Sequence, residues 1–582
     1  MSATPPGADR PAALTPEALE LLLGDPADAA NPYGFAAAVA RDEHDEFPED
    51  LCEALRQAGF HLNYLPREWG GTFESFDRSL TLVRAAARRD VNVMPGTMFS
   101  IIAATCLQLH GSQEQQRRAA EILRRGGAVA FALTEAEHGS DLLAGEVRLS
   151  PDGLLDGEKW MVGLGQRCEA VYVVARTGER GPGAFSAVLL EPAELPADHF
   201  ARLTAPRTGG MRGIDFARLR FDGLPVPEGA LVGRRGEALE MAVKAQQAVR
   251  LMSMAGSLGC ADTAVRLTLD FAQTRRVGRT VLTQAPYSRR ELAVASAALL
   301  AADAVALSAA RGVHVVPEVF SVWGLAAKHV VADASDDLIR RCASVLATRS
   351  VLRDGLFQKL QRDSTVVRVI DASALANLKS FAGQLPTLVE RAADHTGPTE
   401  EAEAQLRTIF TLDAELPPYV PARLDLFARG VDPVLDGLPQ AADELAKEAA
   451  ADPTAAGITA LVEQLTETVA GLGARSAAAR RPGADPNALV DLAERYSWLH
   501  AAASCVQLWR ANRHRSLYGT EPGSTGWLGA VLGYLLARAD GTDPRQYGSV
   551  LLPALDAVAA LRDGDRLFTA LPVRLAVTRE ES

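Results

Sequence analysis

Thr134-Glu135-Ala136-Glu137-His138-Gly139-Ser140-Asp141 is a short polar stretch that follows directly on the apolar run 129–133. In isolation it reads as a capped turn, because Ser140 and Asp141 bond readily to their own backbone. Its hydroxyls and free amides are also suited to the polar edge of a flat ring. The surroundings bear on that choice. Upstream, helical signals dominate to about residue 125, and one helix is opened by Pro48, Glu49 and Asp50 and closed by Gly59. Downstream, from about 130 to 235, the period becomes strand-like: 170–175 and 185–190 are β-rich, and Leu219 and Phe221 alternate with Arg218 and Arg220. Asp152-Gly153, Asp156-Gly157 and Gly181-Pro182-Gly183 supply turns between antiparallel strands. The polar stretch therefore lies at the edge of a β insert between helical regions.

From about 237 to 385 the helical period returns in long Ala/Leu-rich segments that suit an antiparallel bundle, interrupted near the end by the polar stretch 364–371. A charged segment, 394–403, leads to more helix, broken by Arg480-Arg481-Pro482-Gly483 and ending near 575. The expected organisation is a flexible segment over 1–34, a helical domain over 35–129, a β domain over 130–236, a bundle over 237–390 and a helical extension over 391–582. The class is mainly α with a central β domain.

Composition narrows the function. With 73 acidic against 60 basic side chains the formal charge is -13, and no basic track offers a path for a phosphate backbone, which argues against nucleic acid. The six cysteines, Cys52, Cys106, Cys168, Cys260, Cys342 and Cys505, are far apart and form no metal-ligand spacing, as expected of reduced cytoplasmic thiols. No signal-peptide pattern opens the sequence. The apolar stretch 292–310 is alanine-rich and carries Asp303, so a packed bundle helix is expected there in place of a membrane span.

Four further segments give the polar loop a context: Asp156-Gly157-Glu158-Lys159-Trp160; Gly209-Gly210-Met211-Arg212-Gly213-Ile214-Asp215; Phe221-Asp222-Gly223-Leu224-Pro225-Val226-Pro227; and Leu231-Val232-Gly233. In order and spacing, with the loop at 134–141, they resemble the TEPxxGSD, NGxKxWIT, MRGSDT and FExVxVP segments of the acyl-CoA dehydrogenase family. Leu65-Pro66-Arg67-Glu68-Trp69-Gly70-Gly71 and Gly111-Ser112-Gln113-Glu114-Gln115 are similar to its PxxxGG turn and GTxEQ helix start. The likeness covers about residues 35 to 385; some larger members also carry a C-terminal helical extension.

The resemblance implies N-terminal helices, a middle β domain and a C-terminal helical bundle, with FAD between β domain and bundle and reaching a second subunit of a homodimer or homotetramer. It implies an FAD-dependent oxidoreductase of lipid metabolism that converts an acyl-CoA, or an acyl group on a carrier protein, to the trans-2-enoyl thioester. Electrons would pass to an acceptor such as an electron-transfer flavoprotein. By position, Leu133, Thr134 and Trp160 would meet the flavin ring, Gly139 and Ser140 its pyrophosphate side, and Ser140 and Arg250 the thioester. Val162 stands where the family has a threonine beside flavin N5, and can offer only its backbone. Arg275 would reach a neighbouring subunit's FAD, although Arg275-Arg276-Val277-Gly278 is one residue short of the family's RxxFG. Val345-Leu346-Ala347-Thr348-Arg349-Ser350 replaces its QxxGGxG.

Such a reaction needs a carboxylate near the α-carbon and hydrogen-bond donors for the developing enolate. After the pair Arg362-Asp363 the family places a glutamate in a YEGT loop; here Val369-Ile370-Asp371-Ala372-Ser373 puts Asp371 there, with Ser373 beside the cofactor. The alternative family position, on a bundle helix before an arginine, is Val249 before Arg250. Asp371 is one methylene shorter than glutamate, and a misplacement of about 1 Å costs roughly 10²-fold in rate. Two other readings fit the fold: a flavin monooxygenase, which Val162 favours and Asp371 disfavours, and a catalytically silent partner subunit.

Overall fold

The computed structural model describes residues 12–139, 141–370, 374–392, 399–449 and 456–577. Among the described residues seven α-helices come first: α1 (Pro16–Leu23), α2 (Phe35–Glu43), α3 (Glu49–Gln57), α4 (Phe76–Ala87), α5 (Val93–Met98), α6 (Ile101–His110) and α7 (Gln113–Arg124). Glu49 and Asp50 occupy the first turn of α3, where they complement the helix dipole, and Gly59 just beyond its end takes φ +77°. Ser112 and Gln115 close a reciprocal capping box on α7. Part of the segment expected to be flexible, 1–34, is ordered. Helix α1 buries Leu19 and Leu23, and its Glu20 accepts from Arg88 Nη1 at 3.1 Å and Arg89 Nη2 at 2.9 Å. Apolar burial and a paired buried charge together outweigh the entropy of ordering so short a helix.

The β domain holds β1 (Val129–Ala132), β2 (Arg148–Leu149), β3 (Leu154–Gly163), β4 (Ala170–Arg176), β5 (Phe185–Leu190), β6 (Phe200–Thr204), β7 (Phe216–Pro225) and β8 (Leu231–Val232). They form one sheet in the order β6-β7-β3-β2-β4-β5-β8, with β1 also on β4. Most pairs are antiparallel as expected, but β1 and β2 both run parallel to β4, so the sheet is mixed. The domain keeps its own core, including Ala130, Val162, Val171, Leu219 and Leu224.

The bundle consists of α8 (Ala238–Thr274), α9 (Pro286–Val315), α10 (Phe320–Leu346) and α11 (Leu356–Val369), with the hairpin β9 (Arg276–Val277) and β10 (Thr280–Val281) between α8 and α9. Small residues such as Ala293, Ala297 and Ala301 let α9 approach its neighbours closely and leave it buried. By length and composition α9 could cross a membrane, yet its apolar window is wholly inside the protein. The acidic Asp303 within it accepts from Arg84 Nη1, while Arg84 Nε donates to Asp262 at 2.6 Å and Nη2 to Phe568 O at 2.7 Å. All three charged residues are at most 1% exposed, so each needs the others to offset its loss of water.

The remaining helices are α12 (Ala374–Ala382), α13 (Leu385–Ala392), α14 (Glu400–Phe410), α15 (Pro433–Asp436), α16 (Leu438–Ala449), α17 (Ala456–Ala470), α18 (Leu472–Ala479), α19 (Ala488–Asn512), α20 (Gly526–Ala539) and α21 (Leu552–Asp563). The long helices α19 and α20 pack on α9, and α19 also on α10. One large apolar cluster runs from Leu19 to Ala570, so the C-terminal extension shares the bundle's core, with a small separate cluster of Leu567, Val573 and Leu575 near its end.

Candidate active site

Strand β1 delivers the chain to Leu133 and Thr134, both half-buried, and the loop is held from beneath by a buried ion pair. Lys159 Nζ donates to Glu135 Oε1 at 2.7 Å and to Leu133 O at 2.9 Å, and the Glu135 carboxylate also accepts from Glu146 N at 2.6 Å and Val147 N at 3.1 Å. Burial opposes the charge on Glu135, but Lys159 and the two amides overcome it and hold the carboxyl below the usual carboxylate range. This pair fixes the first turn of the loop in a single geometry.

On β3, a bulge interrupts the pairing with β7 between Lys159 and Val162, and Met161 takes φ +51°. The extra residue shifts the strand's alternation. Trp160 stays half-buried on the outer side, with its backbone N–H donating to Thr134 O at 2.8 Å, while Val162 turns into the sheet core and is 2% exposed. The Val162 side chain packs in the β-domain core with Ala217 and Leu219, which leaves only its backbone for a cofactor. Leu133, Thr134 and Trp160 are brought together.

The loop 209–213 carries the β domain onto the bundle. A β-carbon on Gly210 would lie 2.0 Å from Arg362 O, so only glycine lets this backbone rest directly on α11. Met211 N donates to Asp363 Oδ1, Arg362 Nη1 to Gly209 O at 2.9 Å, and Asn92 Nδ2 to Arg212 O at 2.8 Å. Asp363 is anchored in turn by Lys359, whose Nζ reaches Asp363 Oδ2 at 2.6 Å and Asp90 Oδ1 at 3.2 Å, all three side chains being at most 2% exposed. Burial works against the ammonium, but the two carboxylates hold the Lys359 pKa above the usual lysine value. One buried lysine thus ties together the β domain, the turn after α4 and α11.

Helix α11 ends at Val369, and Ile370 leaves it with ψ 137°. Asp371, Ser373 and Ser140 lie outside the described residues. Arg250 on α8 is 6% exposed and Val249 before it is half-buried against the core, while Arg275 is an exposed C-cap at the far end of the same 37-residue helix. Gly139 is exposed, and a β-carbon there would meet only Thr134 Cγ2 at 3.9 Å. For a flat heteroaromatic cofactor with a polar edge, this donor set fits: backbone and hydroxyl groups at 133–134, an indole at 160, and open room at 139. Among the described residues no His, Cys, Asp and Glu cluster could hold a metal ion. Sequence reasoning did not find Lys359, Asp90 or the Glu135–Lys159 pair. Only the i,i+4 spacing of Lys359 and Asp363 signals any of them locally.

The family model of the acyl-CoA dehydrogenase N-terminal domain matches residues 32–126, that of the middle domain 130–224 and that of the C-terminal domain 239–371. The chain is 25% identical over 244 residues to a probable acyl-CoA dehydrogenase, FadE25, of Mycobacterium tuberculosis, an alignment covering 41% of this chain and 62% of that protein. It therefore spans only about three fifths of that relative's length. To the mitochondrial isobutyryl-CoA dehydrogenase of Bos taurus it is 24% identical over 336 residues, 57% of this chain and 80% of that one. In fold it resembles an acyl-CoA dehydrogenase complexed with FAD from Bacillus anthracis, with TM-score 0.67, 18% identity, and coverage of 91% of this chain and 92% of that one. It also resembles butyryl-CoA dehydrogenase from Megasphaera elsdenii, with TM-score 0.57, 19% identity, and coverage of 60% and 93%. Three domain matches in the family's order, on a β domain clamped to a helical bundle, place this chain in the acyl-CoA dehydrogenase family, whose members are flavoprotein oxidoreductases of lipid metabolism.

Proposed function

We propose that this chain binds FAD and dehydrogenates an acyl thioester across its α and β carbons, with Asp371 as the base. The observation that carries the reading is the clamp of loop 209–213 onto α11 through Asp363 and Lys359, because it ties the β domain that bears Leu133, Thr134 and Trp160 to the helix that Asp371 follows by two residues. In this reading Leu133, Thr134 and Trp160 orient the ring, and Gly139 and Ser140 lie at its pyrophosphate side. Arg275, exposed at the end of α8, offers a charge-assisted contact to the anionic part of a second copy's cofactor. Ser140 and Arg250 face the thioester, and Ser373 borders the ring. Asp371 takes the proton from the α-carbon, and backbone or hydroxyl donors stabilise the enolate oxygen as charge grows on it. FAD, when bound, supplies the two-electron sink for the hydride that leaves the β-carbon. The product is the trans-2-enoyl thioester, and reoxidation falls to an external acceptor of the electron-transfer flavoprotein kind.

The purified chain should carry a flavin spectrum that bleaches when a matching acyl-CoA, or an acylated carrier protein, is added without oxygen. Asp371→Asn should keep the flavin and lose the bleaching by at least about 10²-fold in rate. A protein without flavin, or an Asn variant as fast as wild type, would overturn the reading; oxygen-dependent turnover that survives the substitution would point to an oxygenase instead.

A further inference from the structure

The two helices that bracket residue 371 are both fastened to the C-terminal extension. On the upstream side, Arg368 on α11 donates from Nη2 to Asp333 Oδ1 at 2.9 Å and from Nη1 to Asp336 Oδ2 at 3.4 Å, both acids lying on α10. The other oxygen of Asp333 accepts from Arg538 Nη2 on α20, and the Arg538 guanidinium lies over the Trp498 ring of α19, 4.7 Å from its centroid. Next to this relay Lys328, also on α10 and 2% exposed, donates to Val367 O at 3.3 Å. On the downstream side, Phe381 of α12 meets Tyr496 of α19 edge to face at 5.1 Å, both at most 2% exposed, and Tyr496 is held by its hydroxyl to Asp432 at 2.5 Å. Gln384 just beyond α12 receives Ala428 N at 2.9 Å and donates to Leu426 O at 3.3 Å, both in the extension.

We propose that the extension is the platform that positions the catalytic segment, with Arg538 as a positioning residue acting through Asp333 on Arg368, and Tyr496 as its counterpart on α12. A carboxylate bridging two guanidiniums from separate helices fixes the last turn of α11 against rotation, while the aromatic contact at Phe381 anchors the short helix α12 at its far end. Neither residue touches the reacting atoms. The inference rests on the dehydrogenase reading only for its effect on turnover; the tether itself is a matter of local stability.

The test uses the full chain with Arg538→Met, which keeps the aliphatic packing on Trp498, and Arg538→Lys, which keeps the charge. Amide hydrogen exchange over 366–370 and 375–382 should be about three- to tenfold faster in the Met variant, while helices α4 and α7 are unchanged. Turnover should fall by a similar factor in kcat with KM within about twofold, and Lys should restore most of both. Unchanged exchange over 366–382 overturns the tether whatever the activity, and so does a Lys variant as loose as Met. Faster exchange in a protein whose wild type turns over no acyl thioester supports the tether and overturns the dehydrogenase reading. If Arg538→Met does not fold, Asp333→Asn interrogates the same relay from its centre and must loosen the same peptides.

Discussion

Replacing Lys359 with Met removes the one cation between Asp90 and Asp363. At an effective dielectric near 20, the contacts at 2.6 Å and 3.2 Å correspond to gross Coulomb terms of about 6 and 5 kcal/mol. Much of this is spent on removing three ions from water. The measured cost of taking one partner from a buried pair, about 3–5 kcal/mol, is accordingly the appropriate scale. Methionine fills most of the lysine's volume, so the loss is electrostatic. It leaves Asp363, at 1% side-chain exposure, without this cation while it must still accept Met211 N, and leaves Asp90 with Arg41 Nη2 at 3.4 Å. With about 2.1 cal/mol/K per residue spread over 582 residues unfolding cooperatively, each kcal/mol moves Tm by about 0.8 °C, so the variant should melt about 2–4 °C lower. The decisive sample is the double variant Lys359→Met, Asp363→Asn. The amide keeps an acceptor for Met211 N and strands one charge fewer, so at least half of the lost stability should return. Differential scanning calorimetry at pH 7.5 on the wild type, both single variants and the double variant gives the coupling directly. A single Met variant within about 0.5 °C of wild type, or a double variant that shows only the sum of the single losses, would refute the assignment of this cluster as the joint between β domain and bundle.

Glu135→Gln should leave the Lys159 ammonium buried with only neutral acceptors, lower stability by about 2–4 kcal/mol and weaken retention of flavin about tenfold. A flavin-to-protein ratio after gel filtration equal to wild type would show that this loop does not hold the ring. His314 is 1% exposed, accepts from Phe76 N through Nε2 at 3.0 Å and bonds Pro417 O through Nδ1 at 2.9 Å, and burial holds its pKa below the usual histidine value of 6.5. The unfolded chain therefore takes up this proton first, and stability falls as pH drops from about 6.5 towards the folded pKa, by up to about 1.4 kcal/mol per pH unit. His314→Gln should melt lower at pH 7.5 yet lose less on going to pH 5.5, and equal slopes for the two proteins would dismiss His314 as the titrating group.

The fold was legible where local chemistry marks it. Proline, two acids and glycine delimit Glu49–Gln57, and the change from helical to alternating period marks the β domain. What stayed hidden depends on pairs distant in sequence. Asp303 read as an acid tolerated in a packed helix, but its partner Arg84 lies 219 residues away. Lys359 and Asp363 share a helical face, yet Asp90 is 269 residues off. The bulge at Met161 left no trace either, since a strand continuing its alternation from Trp160 would turn Val162 outward and methionine carries no signal for φ above zero. The extension showed its helices but not its docking, because an apolar stripe such as that of 526–539 fits many apolar partners equally well.

The ionic site around Arg84 has a consequence in time. Its guanidinium and the carboxylates of Asp262 and Asp303 are completed by backbone groups of Phe568 and Ala570, and Arg84 and Phe568 are 484 residues apart. At about 5–20 residues per second, the ribosome emits the last donor roughly 25–100 s after the arginine. Throughout that interval the site lacks its closing segment, and its three charges stay most stable hydrated. The core between the N-terminal helices and the bundle therefore seals late in synthesis, when the far end of the chain arrives to close it.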